Sequence, residues 1–360
     1  MKKKIYIIGD LRGAYRNKIV FNFLNSNDEY NISGSYQLSK GVRVTNVYSM
    51  IKHMIKMLTS DMIYVCACNH NARLAKVAYL THKKIITDFY ISFYDTDVLD
   101  RKNYPVNSRI AIKLQENDRK ALRNSSLSIF LNNSEARYYT TVLGVNLQDI
   151  GYKIIPLCIP AKKRAQLPYY NKKREYIRFC WCGTYIPLQG LEKIIEAASI
   201  AIKSGLNMRL TIWGDSVEKA QPYIQMAEDH NISQNIDFIN SWDDIDNWEN
   251  YIVENCDVTF GIFGDSDKAK TVLANKVVDG VAYRTPVITG ESKGVREFFN
   301  DELFICENAP AVIAEKMIEV SMMSLSDIKE QIEHAYDIYL NNFTPAVFER
   351  NLISAIGEVI

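Results

Sequence analysis

The sequence has almost no charge surplus: forty-three Lys and Arg residues stand against forty-two Asp and Glu, a net charge of +1. That balance gives no electrostatic reason to expect nucleic acid as a partner. No apolar run approaches the ~20 residues that span a bilayer. The stretch Ile5–Ile8 after Lys2-Lys3-Lys4 is shorter than the ~7–15 residues of a signal-peptide core, so a cytoplasmic location is expected. No C-x2-C pair occurs among the seven cysteines, and that number is odd. Cys66/Cys68 and Cys180/Cys182 are spaced i, i+2 inside apolar runs, which puts each pair on one face of a strand. Buried reduced thiols fit this better than structural zinc or a disulfide framework. No G-x-G-x-x-G follows a strand pattern, which argues against a nicotinamide-dependent dehydrogenase. None of the five histidines has a catalytic context.

What the chain does have is a long alternation of short apolar runs and amphipathic stretches. In the first half, strands are expected at Lys4–Ile8, Met62–Cys68, Lys84–Thr87, Leu127–Leu131 and Lys153–Ile155, with helices at residues 17–25, 72–81 and 108–124. A second series starts at Tyr176 and runs through residues 177–182, 208–213, 236–239, 257–261 and 286–289 as strands. Continuous apolar strands, each followed by a helix, imply parallel sheets covered on both faces. The expected architecture is α/β: two Rossmann-like, doubly wound domains facing a central cleft. Residues 1–160 form the first domain, 161–175 a basic linker, 176–342 the second domain, and 343–360 a terminal helix that packs back on the first. The linker clusters Lys162-Lys163-Arg164 and Lys172-Lys173-Arg174 read as a solvated segment or as a contact with anionic lipid.

In such sheets ligands bind at the carboxyl ends of the strands, where loops lead into helix N-termini. Three loops of the second half qualify. Cys182–Gly190 carries Gly183, Thr184, Gln189 and Gly190, and its glycines let a ligand approach the backbone while the next helix offers free amides to a diphosphate. Gly214 and Asp215 follow a second strand, where Asp215 is equally an N-cap or a ligand contact. The third is Asn275–Gly290. Lys276 and Asp279 project from one face of the first helical turn. A lysine there opposes the helix dipole unless an anion is present, so Lys276 suggests a phosphate contact and Asp279 a ribose contact. A solvated Lys–Asp pair is the plainer alternative.

These motifs resemble the second lobe of the retaining glycosyltransferases of family 4, whose fold is termed GT-B. That family typically shows a G-x-x-x-P-x-K-G loop and then K-x-x-E-x-x-A-x-G-x-P-V-I, met here as Gly183–Gly190 and Lys276–Ile288, followed by the acidic Glu297. The resemblance covers about Tyr176–Phe299. Three departures stand out: Gln189 replaces a basic residue, Asp279 replaces a glutamate, and Thr271 occupies the place of the family's first glutamate. Lys268 or Lys270 is a candidate for the missing positive charge, and Phe263 for stacking on the base.

The first half would then receive the acceptor. Its segment Thr87–Lys102, read as a loop, mixes Asp88, Asp95, Asp97 and Asp100 with aromatics, a pairing suited to sugars. Asp88 and Asp95 are the candidate catalytic carboxylates, orienting an acceptor hydroxyl or taking its proton. Arg12 or Arg16 is a candidate phosphate contact. The resemblance implies no metal and no cofactor beyond a UDP-, GDP- or dTDP-sugar donor. It implies a saccharide or lipid-linked acceptor, with peripheral contact at the inner membrane face and a role in cell-surface polysaccharide or glycolipid synthesis. Two other readings remain: a sugar-nucleotide epimerase of the same fold, and a nucleotide-binding protein without turnover.

Overall fold

The computed structural model describes residues 2–11, 14–36, 47–162, 175–240 and 245–360. The chain divides into one unit formed by Met1–Cys158 with Pro345–Ile360 and a second formed by Ile159–Thr344. Most of the expected linker, and Arg12, lie outside the described residues.

The first unit is built on β1 (Lys3–Ile8), β2 (Tyr30–Gly34), β3 (Met62–Val65), β4 (Lys84–Asp88), β5 (Leu127–Phe130) and β6 (Tyr152–Ile154). All pairings are parallel in the order β2-β1-β3-β4-β5-β6. Its helices are α1 (Tyr15–Ser26), α2 (Val47–Leu58), α3 (Arg73–Ala78), α4 (Arg109–Asn124) and α5 (Asn133–Leu143). The pleat sends alternate residues to opposite faces. Ile5, Ile7, Tyr64 and Ile86 pack with Val20 and Leu24 of α1, whereas Tyr6, Ile8, Ile63 and Val65 pack with Met57, Leu74, Ala111 and Tyr139 of α2 to α5. The terminal helix, residues Pro345–Val359, belongs to this unit, burying Phe348, Leu352 and Ile356 in the α1 layer. Lys153 of β6 reaches Ser354 at 2.8 Å and pairs with Glu358.

The second unit repeats the plan with β7 (Ile177–Cys182), β8 (Met208–Trp213), β9 (Ile236–Ile239), β10 (Val258–Phe260), β11 (Val287–Gly290) and β12 (Phe304–Cys306), parallel in the order β12-β11-β10-β7-β8-β9. Its helices are α6 (Leu191–Lys203), α7 (Val217–Asp229), α8 (Ile245–Asn255), α9 (Asn275–Ala282), α10 (Lys293–Arg296), α11 (Pro310–Met322) and α12 (Leu325–Asn342). Leu191, Ile194 and Ala198 of α6 and Ile313 and Met317 of α11 cover Phe179, Trp181, Leu210 and Phe260 on one face. The α/β class and the two doubly wound parallel sheets are those expected from the pattern.

Two elements differ from the sequence reading. Strand β2 carries little apolar signal, Tyr-Asn-Ile-Ser-Gly, because an edge strand has one flank without a ladder partner and is only partly buried. The aspartate-rich segment read as a loop contains a wide helical turn, Asp95–Asp100, in which Asp95, Thr96, Val98 and Asp100 are buried.

Candidate active site

The loops leaving the carboxyl ends of β7, β8, β10 and β11 cluster over the second sheet. Two close backbone approaches lock them. Gly190 has φ +62°, and a β-carbon there would lie 2.4 Å from the carbonyl carbon of Phe263. Phe263 N–H donates to the Gln189 carbonyl at 3.0 Å, and Gly264 N–H to that of Leu188 at 3.2 Å. Left-handed backbone disfavours any residue but glycine, which is why the loop from β7 closes against that from β10. Helices α6 and α9 have Gly190 and Ala274 as N-cap residues, and neither supplies a side-chain cap. Lys193 N–H and Val277 N–H bond the carbonyls of Gly190 and Ala274 instead, each at 3.1 Å.

Lys276, in the first turn of α9, carries the electrostatic feature of the site. Its side chain is half-buried, but Nζ itself is out of solvent with no hydrogen-bond partner among the described residues. The ammonium lies 4.2 Å from the centre of the Trp181 ring. A β-carbon on Gly183 would come within 2.8 Å of it, so the lysine rests on the glycine backbone that opens the β7 loop. Burial pulls its pKa down to about 7, against the opposing influence of Cys182, Asp279 and Cys180. Cation–π attraction to Trp181 returns only part of that loss. An anion beside Nζ would restore the charge.

Asp279 lies one turn on. Burial, reinforced by the nearby Glu249, holds its carboxyl well above the usual range, while Lys276 acts the other way. A carboxyl accepts hydrogen bonds from hydroxyls and, when protonated, also donates one. Glu249 of α8 also pairs with Lys162 and bonds Tyr283. The turn after α9 puts Arg284 at φ +52°. Its guanidinium stacks at 4.1 Å on Tyr336.

The other expected donor residues divide. Thr184 is half-buried in the β7 loop, and Asn275 opens α9 next to Lys276. Gln189 is half-buried, with Oε1 out of solvent and without a hydrogen-bond partner among the described residues. Gly214 is covered, because a β-carbon there would fall 2.1 Å from the Tyr185 ring. Asp215 accepts from Tyr185 N–H at 3.1 Å and Lys219 Nζ at 2.5 Å, so it pins Tyr185 while Ser216 caps α7. Lys268 is buried, and Lys193 pairs with Asp265 at 2.5 Å. Phe263 corrects the stacking expectation: its ring is fully buried against Phe260, and only its backbone reaches the site.

Tyr185 and Trp181 escape the sequence reading. The rings of Trp181, Tyr185 and Tyr223 stack in succession at 5.7 and 5.2 Å, and Tyr185 Oη donates to Asn240 at 2.8 Å. The signal was present as aromatics flanking Gly183, but only the fold shows which of them underlies the lysine.

In the first unit, the carboxylates are interior groups. Arg16 Nε donates to Asp88 Oδ2 at 2.6 Å, and its other nitrogens bond the carbonyls of Pro156 at 2.7 Å and Ile155 at 3.2 Å. Tyr64 Oη adds a 3.3 Å bond to Asp88. Arg16 and Asp88 are both fully buried. The pair joins β4, α1 and the end of β6, and it leaves neither Asp88 to an acceptor nor Arg16 to a phosphate. Asp95 is also fully buried, receiving Tyr138 Oη at 2.6 Å. The two carboxylates expected to meet the acceptor are thus interior groups: Asp88 ends the buried strand β4, and the helical turn folds Asp95 inward.

The two doubly wound parallel units have the GT-B fold expected from the sequence pattern. Residues 163–335 match the family model described as glycosyl transferases group 1. HepE from Anabaena, solved with UDP-glucose, is 12% identical at a TM-score of 0.71, over 99% of this chain and 100% of that one. A glycosyltransferase from Rickettsia africae is 13% identical at a TM-score of 0.68, over 99% of this chain and 98% of that one. Sucrose-phosphate synthase from Thermosynechococcus elongatus is 11% identical at a TM-score of 0.69, over 99% of both chains. No curated protein matches the sequence. The match to that family model thus falls within the second unit, the one that holds Lys276.

Proposed function

We propose that this protein is a retaining, metal-independent glycosyltransferase that moves a sugar from a nucleotide-sugar held by the second unit to a saccharide or lipid-linked saccharide. The observation that carries the reading is Lys276: an ammonium out of solvent, without a hydrogen-bond partner among the described residues, beside the Gly183 backbone and in the first turn of α9, which has no side-chain cap. Such a place is completed by a diphosphate. Asp279 would take the ribose hydroxyls. The UDP and UDP-glucose bound by HepE support a UDP-linked donor. Departure of the sugar leaves negative charge on the diphosphate, which Lys276 and the helix amides would stabilise. The donor phosphate then supplies a base for the acceptor hydroxyl, consistent with the interior placement of Asp88 and Asp95. Synthesis of a cell-surface polysaccharide or glycolipid at the cytoplasmic membrane face is the setting we assign.

The test is thermal stabilisation by UDP, GDP, CDP, ADP and dTDP, followed by NMR of the product anomer and assay in EDTA. One diphosphate should stabilise the protein by about 2.7 kcal/mol at 100 times its Kd, and Lys276→Ala should abolish the effect. Stabilisation without sugar transfer to any saccharide would favour binding without turnover, a reading motivated by Gln189. Conversion of the donor to its epimer would favour the epimerase.

A further inference from the structure

Helix α2 is apolar on two sides. Met57 is fully buried in the first unit's core, and Met50 packs against the same cluster. On the outward side Tyr48 is 79% exposed, Ile51 49%, Ile55 57% and Leu58 50%. Their spacing, i, i+3, i+7 and i+10, aligns them in one stripe along the helix. A helix apolar on opposite sides is ordinarily covered on both.

The charges beside this stripe have one sign. Lys52 and Lys56 flank it, and α2, Val-Tyr-Ser-Met-Ile-Lys-His-Met-Ile-Lys-Met-Leu, contains no acidic residue. Lys83 Nζ donates to the Leu58 carbonyl at 3.2 Å, adding an ammonium at the helix end. No carboxylate occurs anywhere between Glu29 and Asp61 in the sequence. The local field is felt by His53, whose pKa is lowered first by burial and then by Lys56 and Lys52. Beyond α3 the chain exposes Leu80 at 76%.

We infer that the outward face of α2 is a docking surface for an anionic lipid bilayer, with Tyr48, Ile51, Ile55 and Leu58 entering the headgroup–acyl boundary and Lys52, Lys56 and Lys83 meeting lipid phosphates. An apolar stripe edged by lysines is the pattern of interfacial helices. A protein partner covering the same stripe would need acidic groups for these lysines, and a second copy of this helix offers none. The inference moves the membrane contact from the interdomain basic clusters to a structured helix. It stands whether or not the second unit takes the donor proposed above.

The test is flotation of the full chain with vesicles of phosphatidylcholine alone and of phosphatidylcholine with phosphatidylglycerol, at low and high salt. The unmodified chain should float with the anionic vesicles at low salt, weakly with the neutral ones, and less as salt rises. Lys52→Glu with Lys56→Glu should lower partitioning by about tenfold or more, as should Ile51→Ser with Ile55→Ser. Both pairs are on the surface, so the thermal melt and any nucleotide stabilisation should be retained. A chain that floats with neither vesicle, or variants that float as well as the parent, would overturn the inference. So would a concentration-dependent dimer that Ile51→Ser with Ile55→Ser dissolves in the absence of vesicle binding. The lipid and salt comparisons on the unmodified chain decide even if a variant folds poorly.

Discussion

Lys276 Nζ lies 4.2 Å over the ring of Trp181 and has no hydrogen-bond partner among the described residues. A desolvated ammonium opposing a helix dipole is a cost to folding that a ligand removes. Replacing it should therefore act in opposite directions on stability and on binding. Lys276→Met keeps the stem on Trp181 and should raise the apo protein's stability by about 1–3 kcal/mol. The same change should remove stabilisation by nucleoside diphosphate. Paired thermal melts with and without UDP check both signs, and a destabilised apo variant would mean that the ammonium has a partner in solution.

Binding should depend on pH through the same group. In the free protein the Lys276 pKa is lowered to about 7, and an adjacent diphosphate raises it. A group whose pKa rises on binding contributes in full below its free value and loses that contribution as pH climbs through the bound value. UDP affinity should be level below pH 7 and weaken above it, by at most about tenfold per pH unit. Calorimetric titrations across that range should show proton uptake, and Lys276→Met should abolish it.

The Arg16–Asp88 pair is a structural prediction. Arg16→Met strands Asp88 in the interior and should cost about 3–5 kcal/mol, whereas Arg16→Met with Asp88→Leu should cost less than the single change. Denaturant melts separate the two. An Asp88→Asn variant that keeps full stability but loses transfer would return Asp88 to a catalytic role.

Gly190 and Gly205 both have positive φ, +62° and +96°, but a β-carbon at Gly205 meets nothing within 4 Å. Changing each to Ala imposes a comparable backbone penalty of about 1–2 kcal/mol. Gly190→Ala adds the clash with the Phe263 backbone. Gly190→Ala should therefore be the more destabilising by about 2 kcal/mol and should weaken UDP binding, with Gly205→Ala leaving binding unchanged.

The sequence by itself determined the two-sheet α/β plan. Runs such as Met62–Val65 and Leu127–Phe130 are buried at every position, as strands covered on both faces must be. It also singled out the loops of the candidate site, because Gly183, Gly190 and Lys276 carry local chemical signals: freedom of backbone and a charge at the wrong end of a helix. Tertiary structure decided what those side chains meet. Phe263 and Asp88 look like ligand contacts in a one-dimensional reading, yet the fold buries both, one against Phe260 and the other on Arg16. The partner of Asp88 is 72 residues away, a distance at which no local pattern carries information. The stripe on α2 was equally out of reach. Its periodicity records apolar residues, but whether a face meets the core or solvent depends on how the helix rests on the sheet.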